Sequence, residues 1–317
     1  MPVFSDKRSF ADGSLLLLLT VCGVGLLRWS EEVSAVMTQT AGLCIRVLLP
    51  SLFPFFVLSS LLISSGIVQR CAPRLEPLTR ALFGLHGSCA AAVLLGAVGG
   101  YPVGAKTVCS LYQQGACEKM DALQALRFCN NAGPAFVMGA VGAGLLGNRQ
   151  LGILLYGIHL ISALLMGVIF HDNNGIVKSY SITDKETEKM PLISCFLQAV
   201  TGSFSAFLNV CAFVLLFSVI MCLLGQLPLL SRLAPLSHGL LCGLLELTSG
   251  TAALASADLP RRVLLAALSF LCGWGGLSVQ LQTVSFLREA GLPCREYLRF
   301  KLLHGVLSAL LAFLLCR

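Results

Sequence analysis

The sequence predicts an all-α polytopic membrane protein with two related, inverted repeats that contain interrupted helices or helical hairpins. Composition, the alternation of apolar runs with short polar gaps, and matching interruptions in the two halves predict this class. The chain has 317 residues, of which 56% are hydrophobic and 12% are charged. An ordinary soluble domain has about 25% charged residues. The charges are too few to cover a soluble surface, which excludes a soluble enzyme, a disordered protein and a nucleic-acid binder.

The charges and cysteines indicate membrane topology and packing, and we expect neither a metal nor a cofactor. The 22 Lys and Arg residues outnumber the 15 Asp and Glu residues, and basic side chains lie mostly in gaps between apolar runs, as membrane topology requires. The 14 cysteines form no Cys-x-x-Cys pair and no Cys/His set with zinc spacing, so we interpret them as packing residues. No nucleotide-hydrolysis motif is present, and Thr248-Ser249-Gly250 alone does not indicate a protease, so we expect no enzyme.

The first elements are predicted from apolar runs and prolines. Residues 1–32 contain an apolar run without a small-residue cleavage site after it, which predicts an uncleaved transmembrane helix. Residues 33–48 read as an amphipathic helix and 51–68 as a spanning helix, separated by a proline break. Residues 69–87, which hold three arginines and two prolines, predict a loop with a short surface helix.

An interrupted segment follows at residues 88–116. Two short apolar pieces flank the run Gly99–Lys106, and neither reaches the roughly 20 residues that span a bilayer. The pattern predicts a helical hairpin or a discontinuous helix. After polar residues 117–127, Asn130–Pro134 opens another apolar stretch, and Leu151–Phe170 is a continuous span.

The second half repeats this order after a polar linker at residues 171–190. We therefore divide the chain into the N-terminal helix, a first gate-like repeat at 33–170, the linker, and a second gate-like repeat at 191–317. The second repeat is predicted to contain a span at 207–227, an interruption at Thr248–Thr251, a further interruption at Cys272–Gly276, and a final span at 297–315.

Short matches between the halves support a repeat. Leu94–Gly100 aligns with Leu244–Gly250, and Ser162–Leu165 aligns with Ser308–Leu311, in the same order and at a nearly constant separation. Paired interruptions at corresponding positions are typical of a transporter's binding site. Interrupted helices expose backbone N–H and C=O groups, which are tolerated in a membrane only around a cavity or against protein.

The candidate substrate-binding residues lie at these interruptions. A charge at membrane depth costs about 2.5–3.5 kcal/mol on insertion scales. We expect Lys106 to attract an anionic group, and Glu246 to pair with Lys106 or to carry a coupling proton. The structural alternatives are that Lys106 reaches the interface and that Glu246 pairs with backbone or arginine. The full set is Gly100, Tyr101, Lys106, Asn130, Asn131, Glu246, Thr248, Ser249 and Gly250.

Two further pairs of residues have a structural interpretation as well as a functional one. Asn130 and Asn131 either cap a buried helix end or line the solute site. His159 and His304 lie in the final span of each half. There a lone histidine more often makes a hydrogen bond between helices than a proton relay.

Four stretches resemble a known family. They are Leu49–Ser59 (LPSLFPFFVLS), Gly100–Lys106 (GYPVGAK), Asn130–Pro134 (NNAGP) and Leu244–Gly250 (LLELTSG). They are similar to the signature of the YlbJ (SpoVV) family of sporulation integral membrane proteins, within the wider nucleoside recognition or gate-domain group. The resemblance covers residues 40 to 315. It implies a role in endospore formation and movement of dipicolinate across the outer forespore membrane.

Together these observations predict a bacterial integral membrane transporter of a small organic anion, which the resemblance identifies as dipicolinate. The expected partners are that anion and the lipid bilayer, with no nucleic acid and with protein partners left open. Two alternatives remain: a membrane scaffold that assembles a sporulation complex without transport, and a transporter of a nucleoside-like solute or a metal ion. The absence of an acidic or Met/His cluster argues against the metal ion.

Overall fold

The computed structural model of the protein describes residues 3–171 and 191–316, and every regular element in these ranges is a helix. By length and composition, 4 of these helices could cross a membrane, or up to 6 if each bent pair counts as one span. This confirms the predicted all-α membrane class. The predicted linker lies outside the described residues, except for His171. The four spans are Arg149–Ile169, Leu192–Gly225, Arg261–Glu289 and Arg295–Leu315, and the bent pairs are Ser30–Leu48 with Leu52–Ser64 and Ile67–Phe83 with Gly87–Gly99.

The first third of the chain is almost continuously helical. Helices α2 and α3 are joined by a π-helical turn and bend by 48° near the prolines, so the predicted break is a bend. The elements are α1 Val3–Arg28, α2 Ser30–Leu43, the π-helical turn Cys44–Leu48, α3 Leu49–Ser64 and α4 Ile67–Phe83.

The prediction of a loop at residues 69–87 is wrong, because most of that range lies in α4. Val68, Ala72 and Phe83 recur at helical spacing and are buried along one face, while the arginines occupy the rest of the surface. Burial of this face outweighs the cost of the two internal prolines.

The first interrupted region has the predicted form. Two short helices meet at a break after Gly99, and an extended segment precedes a π-helix that begins at Ala135. The elements are α5 Ala90–Gly99, α6 Val103–Gln113, α7 Lys119–Leu126, the π-helix Ala135–Leu145 and α8 Arg149–Ile169.

The second half contains two breaks as well, but one lies earlier than predicted. Helix α11 ends at Leu245 and α12 begins at Leu247, so Gly250 is inside a helix and Glu246 is the break. Glu246 has extended backbone angles and caps the new helix with its own carboxylate, a signal that a search for Gly and Pro overlooks. The elements are α9 Leu192–Gly225, α10 Pro228–Ser231, α11 Pro235–Leu245, α12 Leu247–Ala255, α13 Arg261–Trp274, α14 Gly276–Glu289 and α15 Arg295–Leu315.

Packing follows the same order in the two halves. Helix α5 packs on α6, and α11 packs on α12. Across the halves, α6 contacts α14 while α12 contacts the π-helix, and the long helices α8 and α15 contact each other. An internal repeat would produce such matching pairs, and the repeat and its inversion stay predictions.

Candidate functional site

The first break, at Gly99–Pro102, is built around Gly100. Gly100 has φ +78°, and the peptide bond between Tyr101 and Pro102 is cis. A Cβ added to Gly100 would lie 2.8 Å from the backbone nitrogen of Gly133. Only glycine combines this backbone angle with so close an approach. The first break is therefore in direct backbone contact with the extended segment 130–134.

Asn130, in that extended segment, is fully buried and joins three helices. Its side-chain nitrogen donates to Tyr297 Oη at 2.8 Å and to Thr283 Oγ1 at 3.1 Å. Its side-chain oxygen accepts from the backbone N–H of Ala105 at 3.4 Å. Asn130 thus connects α6 with α14 and α15, and its bond to Ala105 caps the N-terminus of α6. Its role in lining a solute site stays a prediction.

Two buried polar atoms beside this segment have no hydrogen-bond partner within residues 3–171 and 191–316. Asn131 donates to the carbonyl of Phe128 at 2.9 Å, but its side-chain oxygen is unpaired. His159 Nε2 accepts from the backbone N–H of Ala132 at 3.0 Å, so the neutral ring carries its proton on Nδ1. That Nδ1 is also buried and unpaired. Each of these two atoms can form one further hydrogen bond.

Glu246 caps the second-half helix that begins beside it. Its carboxylate accepts from the N–H groups of Thr248 at 3.0 Å and Ser249 at 2.7 Å, and from Ser249 Oγ at 2.8 Å. Among the described residues, no ion pair within 4.0 Å joins it to Lys106. Thr248 is exposed, and Gly250 packs against Gly243 of α11 rather than at the break.

The last break, at Gly275 and Gly276, lies against Glu246. Both glycines have positive φ, and a Cβ on Gly276 would lie 2.9 Å from the backbone nitrogen of Leu247. Tyr101 joins this break to the first, because its hydroxyl donates to the carbonyl of Cys272 at 2.6 Å. We call the four contacting segments 99–102, 130–134, 245–247 and 274–276 the break cluster.

Four helices have their N-termini at the break cluster. Helix α6, the π-helix, α12 and α14 begin at Val103, Ala135, Leu247 and Gly276. A helix N-terminus carries a partial positive charge and free N–H groups. Helices α5, α11 and α13 end in the same segments, so helix C-termini lie beside these N-termini. A negative group is favourable next to an N-terminus, and in α12 the carboxylate of Glu246 already occupies that position.

Lys106 lies one turn into α6, and its ammonium group faces α3, 4.5 Å from the centre of the Phe56 ring. Its Nζ is buried and has no hydrogen-bond partner among the residues that the structure describes. The ammonium group therefore points into the protein, not outward to an interface. A buried cation without a partner is unfavourable unless an anion joins it.

Lys301 is a second buried lysine, which the sequence analysis did not single out. It is 0% exposed, and its Nζ donates to the backbone carbonyl of Asn130 at 2.8 Å. The signal was available, because Tyr297, Lys301, His304 and Ser308 recur at helical spacing and form a polar stripe on one face of α15. All four residues are 2% exposed or less.

The two histidines make the predicted contact between helices. His304 Nε2 donates to the backbone carbonyl of His159 at 3.2 Å and lies 3.0 Å from Ser162 Oγ. The ring centres are 4.8 Å apart. The histidines therefore join α8 to α15, directly beside Lys301.

Comparisons with known proteins place this architecture in a family. The gate family model, described as nucleoside recognition, matches residues 45–171. The sporulation integral membrane protein YlbJ of Bacillus subtilis (strain 168) is 31% identical over 303 residues, which cover 85% of this chain and 74% of the relative. No solved structure matches. The chain is an integral membrane protein that belongs to the family of the sporulation integral membrane protein YlbJ.

Proposed function

We propose that the protein carries a small organic anion across a membrane by alternating access at the break cluster. The observation that supports this most directly is the meeting of four helix N-termini beside Lys106, whose buried ammonium lacks a partner. Following the family resemblance, we propose dipicolinate as the anion and the outer forespore membrane as the location.

The chemistry of the break cluster suits a ligand with carboxylates. Carboxylate oxygens accept hydrogen bonds from backbone N–H groups at helix ends and from an ammonium group. Lys106 supplies the charge, and His159 Nδ1 supplies a buried donor without a partner. Dipicolinate, a flat pyridine with two carboxylates, brings acceptors for several such donors at once.

Passage requires movement of the breaks. Asn130 and Lys301 are fully buried, so a solute reaches the segment they share only after helices separate. Gly100, Gly275 and Gly276 have the conformational freedom that hinges need. Rocking of short helices about these glycines would expose the break cluster to one side of the membrane at a time.

Counterflow in proteoliposomes tests the proposal. Vesicles loaded with unlabelled dipicolinate should accumulate the labelled compound through the wild-type protein, with saturable kinetics. Lys106→Ala should lower this flux by about tenfold or more, because a tenfold change corresponds to only about 1.4 kcal/mol of binding free energy. Lys119→Ala, which removes an exposed lysine, should leave the flux unchanged.

Glu246→Gln separates a capping role from a solute role. Glu118→Gln is the matched control, because Glu118 is the N-cap residue of α7 as Glu246 is the N-cap residue of α12. Loss of flux in Glu246→Gln alone would support a role at the break cluster. Absence of flux through well-folded wild-type protein would reject the transporter and favour a scaffold. A scaffold would tolerate neutral substitutions at both Lys106 and Glu246.

A further inference from the structure

Lys301 places its side-chain amino group at the edge of the break cluster, and no acidic side chain among the described residues pairs with it. None of the ion pairs within 4.0 Å among the described residues includes it. The ring of Tyr101, which belongs to the first break, has its centre 5.0 Å from Nζ. The side-chain amino group thus lies next to the first break, one of the segments to which the proposed function assigns the anion.

The hydrogen bonds of Lys301 leave one donor unused. An ammonium group has three N–H donors. Its Nζ contacts two acceptors, the carbonyl of Asn130 at 2.8 Å and His304 Nδ1 at 3.0 Å. His304 donates from Nε2 to a backbone carbonyl, so its Nδ1 is the acceptor. The neutral amine satisfies both bonds with its two N–H groups, whereas the ammonium has a third N–H with no hydrogen-bond partner.

The titratable groups that the structure describes around Lys301 are histidine, tyrosine and cysteine side chains rather than carboxylates. His304 and Tyr297 lie on α15 itself, His159 lies on α8, and Cys129 and Tyr101 lie in the segments packed against them. Glu296, in the first turn of α15, forms an ion pair with Arg127, which directly follows α7. On α13, Cys272 meets Tyr101 through its carbonyl.

We propose that Lys301, hydrogen-bonded to His304, is a proton-binding site whose occupancy is linked to that of the anion, so that a proton and the anion move together. This inference rests on the proposed function and names its coupling ion.

The linkage follows from charge compensation. When an anion occupies the break cluster, it compensates the ammonium charge and accepts the third N–H. When the anion leaves, the buried charge is uncompensated, and the proton passes from Nζ to water while the neutral amine keeps both hydrogen bonds. Two ligands that stabilise each other in this way must each raise the affinity for the other by the same factor.

Transport measurements separate coupling from exchange. We expect an acid-outside pH gradient, with the voltage clamped, to drive net dipicolinate uptake in proteoliposomes about tenfold faster than no gradient, and a protonophore to remove this effect. Lys301→Arg keeps a fixed charge, since arginine does not deprotonate in proteins. This variant should still exchange dipicolinate in counterflow but lose the response to the gradient. Lys301→Met should lose both activities.

A measurement on the wild type alone avoids dependence on variant folding. Dipicolinate added to the purified protein in weakly buffered detergent should cause uptake of about one proton per anion bound. Both carboxylates of the ligand stay ionised between pH 6.5 and pH 9, because carboxyl groups titrate near pH 4. The apparent Kd should therefore rise with pH, by up to about tenfold per unit.

The outcomes distinguish the two proposals. Counterflow or binding in the wild type without proton uptake and without a gradient response would overturn the proton linkage and leave anion transport standing. A gradient response that persists in a folded Lys301→Arg protein would also overturn it, because the proton would then be carried elsewhere. Absence of both binding and counterflow in folded wild type would overturn the transport proposal and the linkage with it.

Discussion

Lys106 carries a buried ammonium that no hydrogen-bond partner stabilises, and such a group is retained at a cost to the fold. Its contact with the Phe56 ring returns about 0.5–2 kcal/mol, less than the cost of burying a charge. The sequence predicted an anion-attracting role for Lys106 from its position after a break. Lys301 was not predicted although the polar stripe on α15 marks it, because a single lysine near the start of a final span resembles an ordinary interfacial residue.

Replacement of Lys106 by Met should therefore stabilise the empty protein. We expect an increase of about 1–2 kcal/mol in the free energy of unfolding, since a neutral side chain of similar length removes an unpaired buried charge. The same variant should lose dipicolinate counterflow. Thermal unfolding in detergent, with Lys119→Met as an exposed control, measures the first effect. A lower unfolding temperature would show that the ammonium stabilises the fold.

The Tyr101 hydroxyl links the halves through the backbone carbonyls of Cys272 and Gly273. Tyr101→Phe leaves the carbonyl of Cys272 without this donor and should cost about 1–3 kcal/mol of stability. Tyr156→Phe removes a similar bond, from the hydroxyl to the carbonyl of Ala97 at 2.7 Å, which lies within the first half and does not link the halves. The two variants should lose comparable stability, measured by thermal unfolding. Only Tyr101→Phe should change the counterflow rate, and equal rates would contradict a link through Tyr101.

Helix interruptions are the elements that sequence predicts best in this chain. Gly100 and Gly275 interrupt apolar runs, and the positive φ of each ends a helix, whereas Gly276, also with positive φ, begins the next one. Two elements were misjudged for physical reasons. Prolines suggested a loop in residues 69–87, where burial of one face sustains α4. A capping carboxylate makes Glu246 a break with no glycine or proline at the position.

Gly100→Ala tests whether the first break is as tight as its geometry indicates. The added methyl would meet the backbone of Gly133 at 2.8 Å, and φ +78° is strained for alanine, so we expect a loss of at least about 2 kcal/mol of stability. Gly157→Ala, inside α8 with no atom within 4 Å of the new methyl, should be neutral or slightly stabilising. Yield and thermal unfolding in detergent compare them, and equal stability would contradict the geometry.

Across the whole molecule, contacts between the halves converge on polar groups. Asn130 bonds to Tyr297 and Lys301 in α15, and Ser162 in α8 contacts Ser308 in α15. Ser162 and Ser308 are equivalent in the sequence alignment of the halves. Equivalent residues that touch lie on a rotation axis between repeats, which agrees with the predicted pseudo-symmetry. Sequence could suggest the repeat but not these contacts, because they depend on how the halves dock.

Inversion of the repeats has a consequence for membrane sidedness. Arg149 and Arg295 are exposed at the starts of α8 and α15. In inverted repeats the two starts lie on opposite sides of the membrane, and in parallel repeats they lie on the same side. Arg149→Cys and Arg295→Cys, each in a cysteine-free active background, should react with a membrane-impermeant thiol reagent from opposite sides. Reaction of both cysteines from the same side of the membrane would contradict inversion.

The central claim is that the break cluster of this family member passes an organic anion, and wild-type counterflow with competing solutes tests it most directly. We predict saturable entry of labelled dipicolinate that unlabelled dipicolinate and related aromatic dicarboxylates inhibit and a nucleoside does not. Flux inhibited by the nucleoside alone would assign a different solute. The complete absence of saturable flux through folded, correctly inserted protein would contradict the account.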